Sequence, residues 1–309
     1  MARATDGNDK PHVLVVPFPA QGHLPPLLDL VALLAARGLA ITVAVTAGNA
    51  ALLDPLVAAF PSVATLVLPF PSSPLLPAGC GENAKDLPAG HLIRPFMVCL
   101  AALRAPLLAW CKARGQQGRR VTAILSDFFT GWTQTLAAEL GVPRVTFSPS
   151  SAFYLAMTQS LWRHVPRRRR PDDPDEAVAF PEIPGSPSFP WRHLSSMYRR
   201  HVPGDELSEA IRQSFLWNQE SKCFVVNSFA ALEATYLHLE RPFPDKNGAG
   251  KWMLAVGPVS DAVGTANVDR GGKPTVATAD VAAWLDARGE EGSVVYVSFG
   301  TQCRVANFD

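Results

Sequence analysis

The stretch HVLVVPFPAQGHLPPLLDLVALLAARGLAITVAV, residues 12–45, constrains the fold more than any other part of the chain. Val13–Val16 is a short continuous apolar run, the composition of a strand buried on both faces. Leu27–Arg37 has apolar residues at 27, 28, 30, 31, 34 and 35, which is helical spacing, and Gly38 supplies a C-terminal stop. LAITVAV, residues 39–45, is a second apolar, β-branched run. Strand, helix and strand in this order form a βαβ unit, because parallel strands need a long crossover between them.

The alternation recurs. VTAIL (121–125), TGWTQTLAAELG (130–141) and RVTF (144–147) give a second unit, and CFVVN (223–227) leads into SFAALEATYLHLE (228–240). Repeated β-α alternation predicts an α/β fold with a doubly wound, Rossmann-like parallel sheet. Residues 69–90 and 166–193 are rich in turn formers and predict long loops. The N-terminal residues 1–11 are polar and predict disorder; 12–250 form the main domain, and 251–278 read as an interdomain linker. Residues 279–309 then begin a second domain, with a helix at 279–289 and a strand at 293–300. That strand has the composition of a central parallel strand, yet no partner follows it in sequence.

Composition narrows the function. Lys and Arg number 28 against 27 Asp and Glu, so there is no global charge for nucleic acid or an anionic membrane. The five cysteines are scattered and form no Cys-x-x-Cys pair, which predicts free thiols and argues against structural zinc. No signal peptide or membrane span is expected, so the reading is a cytoplasmic protein.

His23 follows the first strand, and Asp127 ends a later one, in AILSDFFTGW. Parallel strands bring their carboxyl ends to one sheet edge, where ligands of such folds bind. There a carboxylate beside the imidazole would fix its tautomer and make it a general base. The alternatives are a solvated or capping His23, and an Asp127 that only caps the following helix. Phe18, Phe128 and Phe153 are either acceptor-pocket walls or ordinary core. Asp173-Pro174-Asp175 has the spacing of an Asp-x-Asp metal–nucleotide element, but it sits in the polar stretch RRRRPDDPDE and reads as a solvated loop, as does Arg167–Arg170. NGAGKW (247–252) lacks the spacing of a phosphate loop. No Gly-x-Gly-x-x-Gly follows a strand, and no Gly-x-Ser-x-Gly elbow is present.

VLVVPFPAQGHLPPLLDLVALLAARG, LPAGCGENAKDLP, ILSDFFTGWTQTLAAELGVPRVTF, CFVVNSFAALEATYLHLE, MLAVGPV and VAAWLDARGEEGSVVYVSFGTQ occur in that order. Together they resemble the plant family of UDP-dependent glycosyltransferases that act on small hydrophobic acceptors, over residues 12 to about 302. The resemblance implies a GT-B arrangement, two Rossmann-like domains facing across a cleft, with acceptor bound by the first and UDP-sugar by the second. It implies a monomer that inverts the sugar's anomeric centre and needs no metal or other cofactor beyond its UDP-sugar co-substrate, expected to be UDP-glucose. His23 maps onto the family's catalytic base and Asp127 onto its supporting aspartate. Gly22, Gly300 and Thr301 map near the donor, and Phe18, Phe128 and Phe153 near a flavonoid or other phenolic acceptor.

The family's C-terminal donor box, beginning Trp-Ala-Pro-Gln and containing His-Cys-Gly-Trp-Asn-Ser, has no counterpart here, and CRVANFD (303–309) does not resemble the family's continuation. The chain therefore reads as a truncated product holding only the start of the second domain. The expectation is a hexosyl transferase by family; the alternative is an inactive remnant that binds acceptor or partners only.

Overall fold

The computed structural model describes residues 11–237, 253–259 and 276–297. The strands are β1 (His12–Val16), β2 (Ala40–Thr46), β3 (Val63–Leu68), β4 (Ala123–Asp127), β5 (Arg144–Ser148), β6 (Ala177–Ala179), β7 (Ser188–Pro190), β8 (Cys223–Val226) and β9 (Met253–Ala255). The helices are α1 (Leu24–Ala36), α2 (Asp54–Ala59), α3 (Ile93–Cys99), α4 (Arg104–Gln116), α5 (Thr133–Leu140), α6 (Ala152–His164), α7 (Ser196–Arg199), α8 (Glu206–Asn218), α9 (Ala230–Leu237) and α10 (Thr278–Asp286).

Seven strands form one parallel sheet in the order β3-β2-β1-β4-β5-β8-β9. Side chains alternate across it, as the two-residue period of a strand demands. Val13 and Val15 of β1 pack on one face with Leu27, Leu30 and Val31 of α1. Leu14 and Val16 face the other way, into a larger core with Phe96, Leu107, Leu136 and Phe215. Two covered faces explain why these strands read as unbroken apolar runs. Gly38 ends the α1 turn at φ +85°, a conformation that only glycine adopts without strain.

The chain winds outward from β1 through β2 to β3, then returns to lay β4 on the other side of β1. The gap between the ends of β1 and β4 is therefore the topological switch point, where an open α/β sheet offers a crevice.

Three expectations need correction. The sheet takes its last strand, β9, from Met253–Ala255, inside the stretch 251–278 that the sequence assigns to a linker. β9 is only three residues long, too short for an apolar period to show. The strand expected at 293–300 is not formed over 293–297, and Val295 and Tyr296 are 81% and 88% exposed. A central parallel strand needs hydrogen-bonding neighbours, and no described strand lies beside this one. Within 166–193, β6 and β7 form a small antiparallel pair that the loop reading misses.

Among the described residues one helical run, Gly90–Gln116, is long and apolar enough to cross a membrane. Over half of its most apolar 18-residue stretch is buried in the fold, where Phe96, Leu100, Leu103 and Leu107 fill the larger core. Cys80, Cys99 and Cys111 are free thiols.

One close approach fixes α8 against the loop before α5. A Cβ added at Gly131 would lie 1.8 Å from the Ser214 carbonyl oxygen, a backbone atom that no rotamer change can move. Gly131→Ala is expected to cost about 1–3 kcal/mol, the usual range for forced overpacking, as measured by urea denaturation. Wild-type stability in that variant would show that α8 is free to shift.

Candidate active site at the sheet switch point

β1 ends at Val16, whose register partner on β4 is Ser126, one residue before Asp127. The loop after β1 folds back through hydrogen bonds from the His23 and Leu24 N–H groups to the Ala20 carbonyl, at 2.9 and 2.8 Å. α1 then starts with a proline in its first turn, where a missing N–H costs nothing. His23 occupies the N-cap position but its side chain caps nothing, so the imidazole is free to turn towards the sheet.

It meets Asp127 there. His23 Nδ1 lies 2.9 Å from Asp127 Oδ2 and 3.1 Å from Oδ1. An ionised carboxylate only accepts, so Nδ1–H donates, and the lone pair of the neutral ring is left on Nε2. The Asp127 side chain is fully buried, while that of His23 is 17% exposed. The hydrogen-bonded pair is thus buried on the aspartate side and partly open on the histidine side. Asp127 Oδ1 also accepts from the Phe129 N–H at 2.8 Å, which is a turn within its own loop and not a cap on α5.

Three phenylalanines hold the ring. Phe128 stacks on it at 5.5 Å and 12°, Phe18 meets it edge-on at 5.2 Å, and Phe129 packs at 4.6 Å. Phe18 and Phe128 are 0% and 2% exposed, so they support His23 from within the core and present no surface to an acceptor, which corrects the wall role expected for them. The partly exposed ring at this position is Phe129, the residue two past Asp127. Phe153 stands apart: it packs on Tyr236 at 4.9 Å and Phe189 at 6.2 Å, at the start of α6. Gly22 is exposed beside His23, with open space around it. Gly300 and Thr301 lie outside the described residues, as does the 247–252 stretch.

The sequence reading misses the groups behind Asp127. Arg144, at the start of β5, is 1% exposed. Its Nε donates to Ser126 Oγ at 2.8 Å and its NH2 to Asn218 Oδ1 at 2.9 Å, with a longer 3.4 Å contact to the Asp127 carbonyl. Asn218 in turn donates to the Phe128 carbonyl at 2.7 Å. Three consecutive residues, 126 to 128, are therefore held from beneath. Burial pushes the Arg144 guanidinium down to about 9, and the Asp127 charge opposes that fall. An arginine opening an apolar strand is the one signal in the sequence that could have revealed it.

Glu233 is a second missed anion. Its carboxylate accepts from the Ala152 and Phe153 N–H groups, at 2.7 and 3.0 Å, and from the Ser228 hydroxyl, which places it at the N-terminus of α6. Burial works to raise its pKa, but the Ser228 hydroxyl and the two N–H donors outweigh this and hold the carboxyl below its usual range. His12, at the far end of β1, bonds Thr42 Oγ1 at 2.9 Å and is held low by burial, a core histidine with no open edge.

The 69–90 segment reaches the site through the Ala84 N–H, which donates to the Pro19 carbonyl at 2.8 Å. Asp173 and Asp175 pair with Arg170 and Arg192, each at 2.6 Å, which ties the Asp-x-Asp spacing into surface ion pairs. Arg168 lies over the Trp191 ring at 4.6 Å, so part of the basic run is packed and not solvated.

The family described as glycosyltransferase, N-terminal domain, matches residues 9–164, just over half of the chain and the part that holds both His23 and Asp127. The chain belongs to the UDP-dependent glycosyltransferase family. It is 43% identical to UDP-glycosyltransferase 89B2 of Stevia rebaudiana over 98% of its own length and 62% of the relative's. It is also 43% identical to the Arabidopsis thaliana flavonol 3-O-glucosyltransferase UGT89B1, over 97% of this chain and 61% of that one. Among solved structures, Arabidopsis UGT89C1 complexed with UDP-L-rhamnose aligns with a TM-score of 0.70 at 28% identity, covering 96% of this chain and 59% of that one. The fold is thus that of the GT-B glycosyltransferases, and the chain spans about 60% of the length of the curated relatives it matches.

The Asp127 carboxylate bonds His23 and supplies negative charge near the buried Arg144. Asp127→Ala is expected to cost about 3 kcal/mol in urea denaturation, because it strands a buried guanidinium without its anion. A loss below about 0.5 kcal/mol, the level of an ordinary surface change, would show that Arg144 does not depend on it.

Proposed function

We propose that this chain supplies the acceptor-binding half and the catalytic base of a transferase that moves a hexosyl group, glucose from UDP-glucose, onto a hydroxyl of a flavonoid-like phenol. The observation that carries the reading is the hydrogen bond from His23 Nδ1 to Asp127, which leaves Nε2 as the acceptor nitrogen of a partly exposed ring. The names of the relatives supply the substrate class: one is a flavonol 3-O-glucosyltransferase, and Arabidopsis UGT89C1 has been crystallised with quercetin as well as with UDP-L-rhamnose.

In the proposed step the acceptor hydroxyl gives its proton to Nε2 as its oxygen bonds to the anomeric carbon. The bond from that carbon to the diphosphate oxygen breaks, and UDP leaves as an anion. Attack from the face opposite the leaving group inverts the centre, and a diphosphate needs little acid assistance to depart. Asp127 stabilises the imidazolium that forms and stays ionised itself. Phe129 offers the apolar surface nearest the base for an aromatic acceptor. Gly22, Gly300 and Thr301 remain proposed donor contacts. A metal-free step, a monomeric state and a cytoplasmic location belong to the same proposal.

The test joins this chain to the donor-binding remainder of the Stevia relative and assays UDP-glucose with quercetin. His23→Ala is expected to lower kcat by about 10²–10⁴-fold, the range of general base catalysis, with quercetin binding retained. The chain alone should bind quercetin weakly and give little product, since the reactants are not held in register. Undiminished turnover in His23→Ala would remove His23 as the base. Saturable binding with no turnover in the joined protein would leave acceptor binding without catalysis.

A further inference from the structure

Arg144 is bonded as a neutral side chain would be. Its Nε donates to the Ser126 hydroxyl at 2.8 Å and its Nη2 to the Asn218 side-chain carbonyl at 2.9 Å, with the longer contact to the Asp127 backbone carbonyl. All three acceptors are uncharged. The remaining terminal nitrogen, Nη1, is buried and makes no hydrogen bond. Arg144 is only 1% exposed, yet no ion pair among the described residues includes it. Burying a charge costs far more than burying a neutral donor. A neutral amide could donate to a hydroxyl and a carbonyl, so hydrogen bonding alone does not account for a guanidinium here.

Its charge acts on Asp127. Attraction to that carboxylate works against the lost hydration of the guanidinium. The attraction is mutual, and it reaches His23 through the carboxylate that bonds Nδ1. A carboxylate alone beside an imidazole favours the protonated ring, and a protonated ring cannot take a proton from a hydroxyl. A cation on the far side of the carboxylate offsets that pull and leaves the hydrogen bond in place. The surrounding elements bring no further charge. Residues 17–22 after β1 are PFPAQG, 24–28 opening α1 are LPPLL, 128–135 after β4 are FFTGWTQT, and 214–218 ending α8 are SFLWN. The rings packed on the imidazole are those of Phe18, Phe128 and Phe129. Phe96 of α3 meets Phe18, but the charged residue of α3, Arg94, is bonded to the Arg200 carbonyl and the Ser208 hydroxyl.

We propose that Arg144 is a positioning residue for the base: its buried charge, set behind Asp127 and held by Asn218, lets the carboxylate orient the His23 imidazole without holding a proton on Nε2. The proposal rests on the reading of His23 as the base and deepens it. Asn218 closes the arrangement, since its side chain accepts from Arg144 at 2.9 Å and donates to the carbonyl of Phe128, the ring stacked on His23, at 2.7 Å.

The test follows the ring nitrogens of His23 against pH by nitrogen-15 NMR in the full chain, with the signals identified by their loss in His23→Ala. Arg144→Met removes the charge at similar length and is expected to move the protonation midpoint of the ring up by about one pH unit. Arg144→Lys keeps the charge without the planar fork and should stay close to the wild type. Asn218→Asp keeps the shape, sets a carboxylate against the guanidinium and should also move the midpoint upward. That variant carries the test if Arg144→Met does not unfold cooperatively. In the chain joined to the donor-binding remainder, the acid limb of the kcat/KM profile with quercetin should move in the same order. A midpoint that stays fixed when the charge is removed or neutralised would overturn the proposal. A midpoint that Arg144→Lys moves as far as Arg144→Met would equally overturn it, leaving Arg144 as a scaffold only. The NMR signal needs no turnover, so failure of His23 as the base, seen as undiminished turnover in His23→Ala, is a separate result.

Discussion

A fully buried carboxylate has to be satisfied from every side, and in this fold Asp127 is the point where that requirement is met. The imidazole of His23 reaches it from the loop after β1. The N–H of Phe129 reaches it from its own loop. The charge of Arg144 lies behind it, carried on β5 and braced by Asn218 at the end of α8. His23 and Phe129 thus bond the carboxylate itself, while Arg144 and Asn218 hold residues 126 to 128 around it. Arg144 gives up hydration to stay there, which is why its guanidinium falls below the ordinary range. The arrangement fixes the imidazole more tightly than an exposed pair could, since surface ion pairs contribute little and are readily lost.

The placement of that carboxylate follows from topology. A parallel sheet wound both ways from β1 leaves a crevice between the ends of β1 and β4, and His23 and Asp127 meet there. The aromatic rings then complete the site from below. Phe128 stacks on the imidazole and Phe18 packs against it edge-on, and the ring stays partly exposed. The chain spans about 60% of the length of its curated relatives.

How much of this was legible in the sequence depended on the range of the signal. The strands around His23 and Asp127 are apolar runs that end in polar residues, so their carboxyl ends, and hence the pairing, could be placed by pattern. The family resemblance assigned the roles. Arg144 was hidden because a charge in a strand shows its partners only in three dimensions. Phe18 and Phe128 were read as pocket walls because a loop phenylalanine looks the same whether it faces a ligand or a histidine ring. β9 escaped because three residues carry no period, and Val294–Val297 misled because strand composition is necessary for a sheet but not sufficient without neighbours.

The central claim is that Asp127 fixes His23 in the tautomer with its proton on Nδ1 and its lone pair on Nε2. The most direct measurement is nitrogen-15 NMR of the His23 ring in uniformly labelled chain, above the pH at which the imidazole is neutral, compared with Asp127→Leu. The account predicts a protonated Nδ1 and an unprotonated Nε2 in the wild type, with the preference lost when the carboxylate is removed. A wild-type ring carrying its proton on Nε2, or a tautomer ratio that Asp127→Leu leaves unchanged, would contradict it.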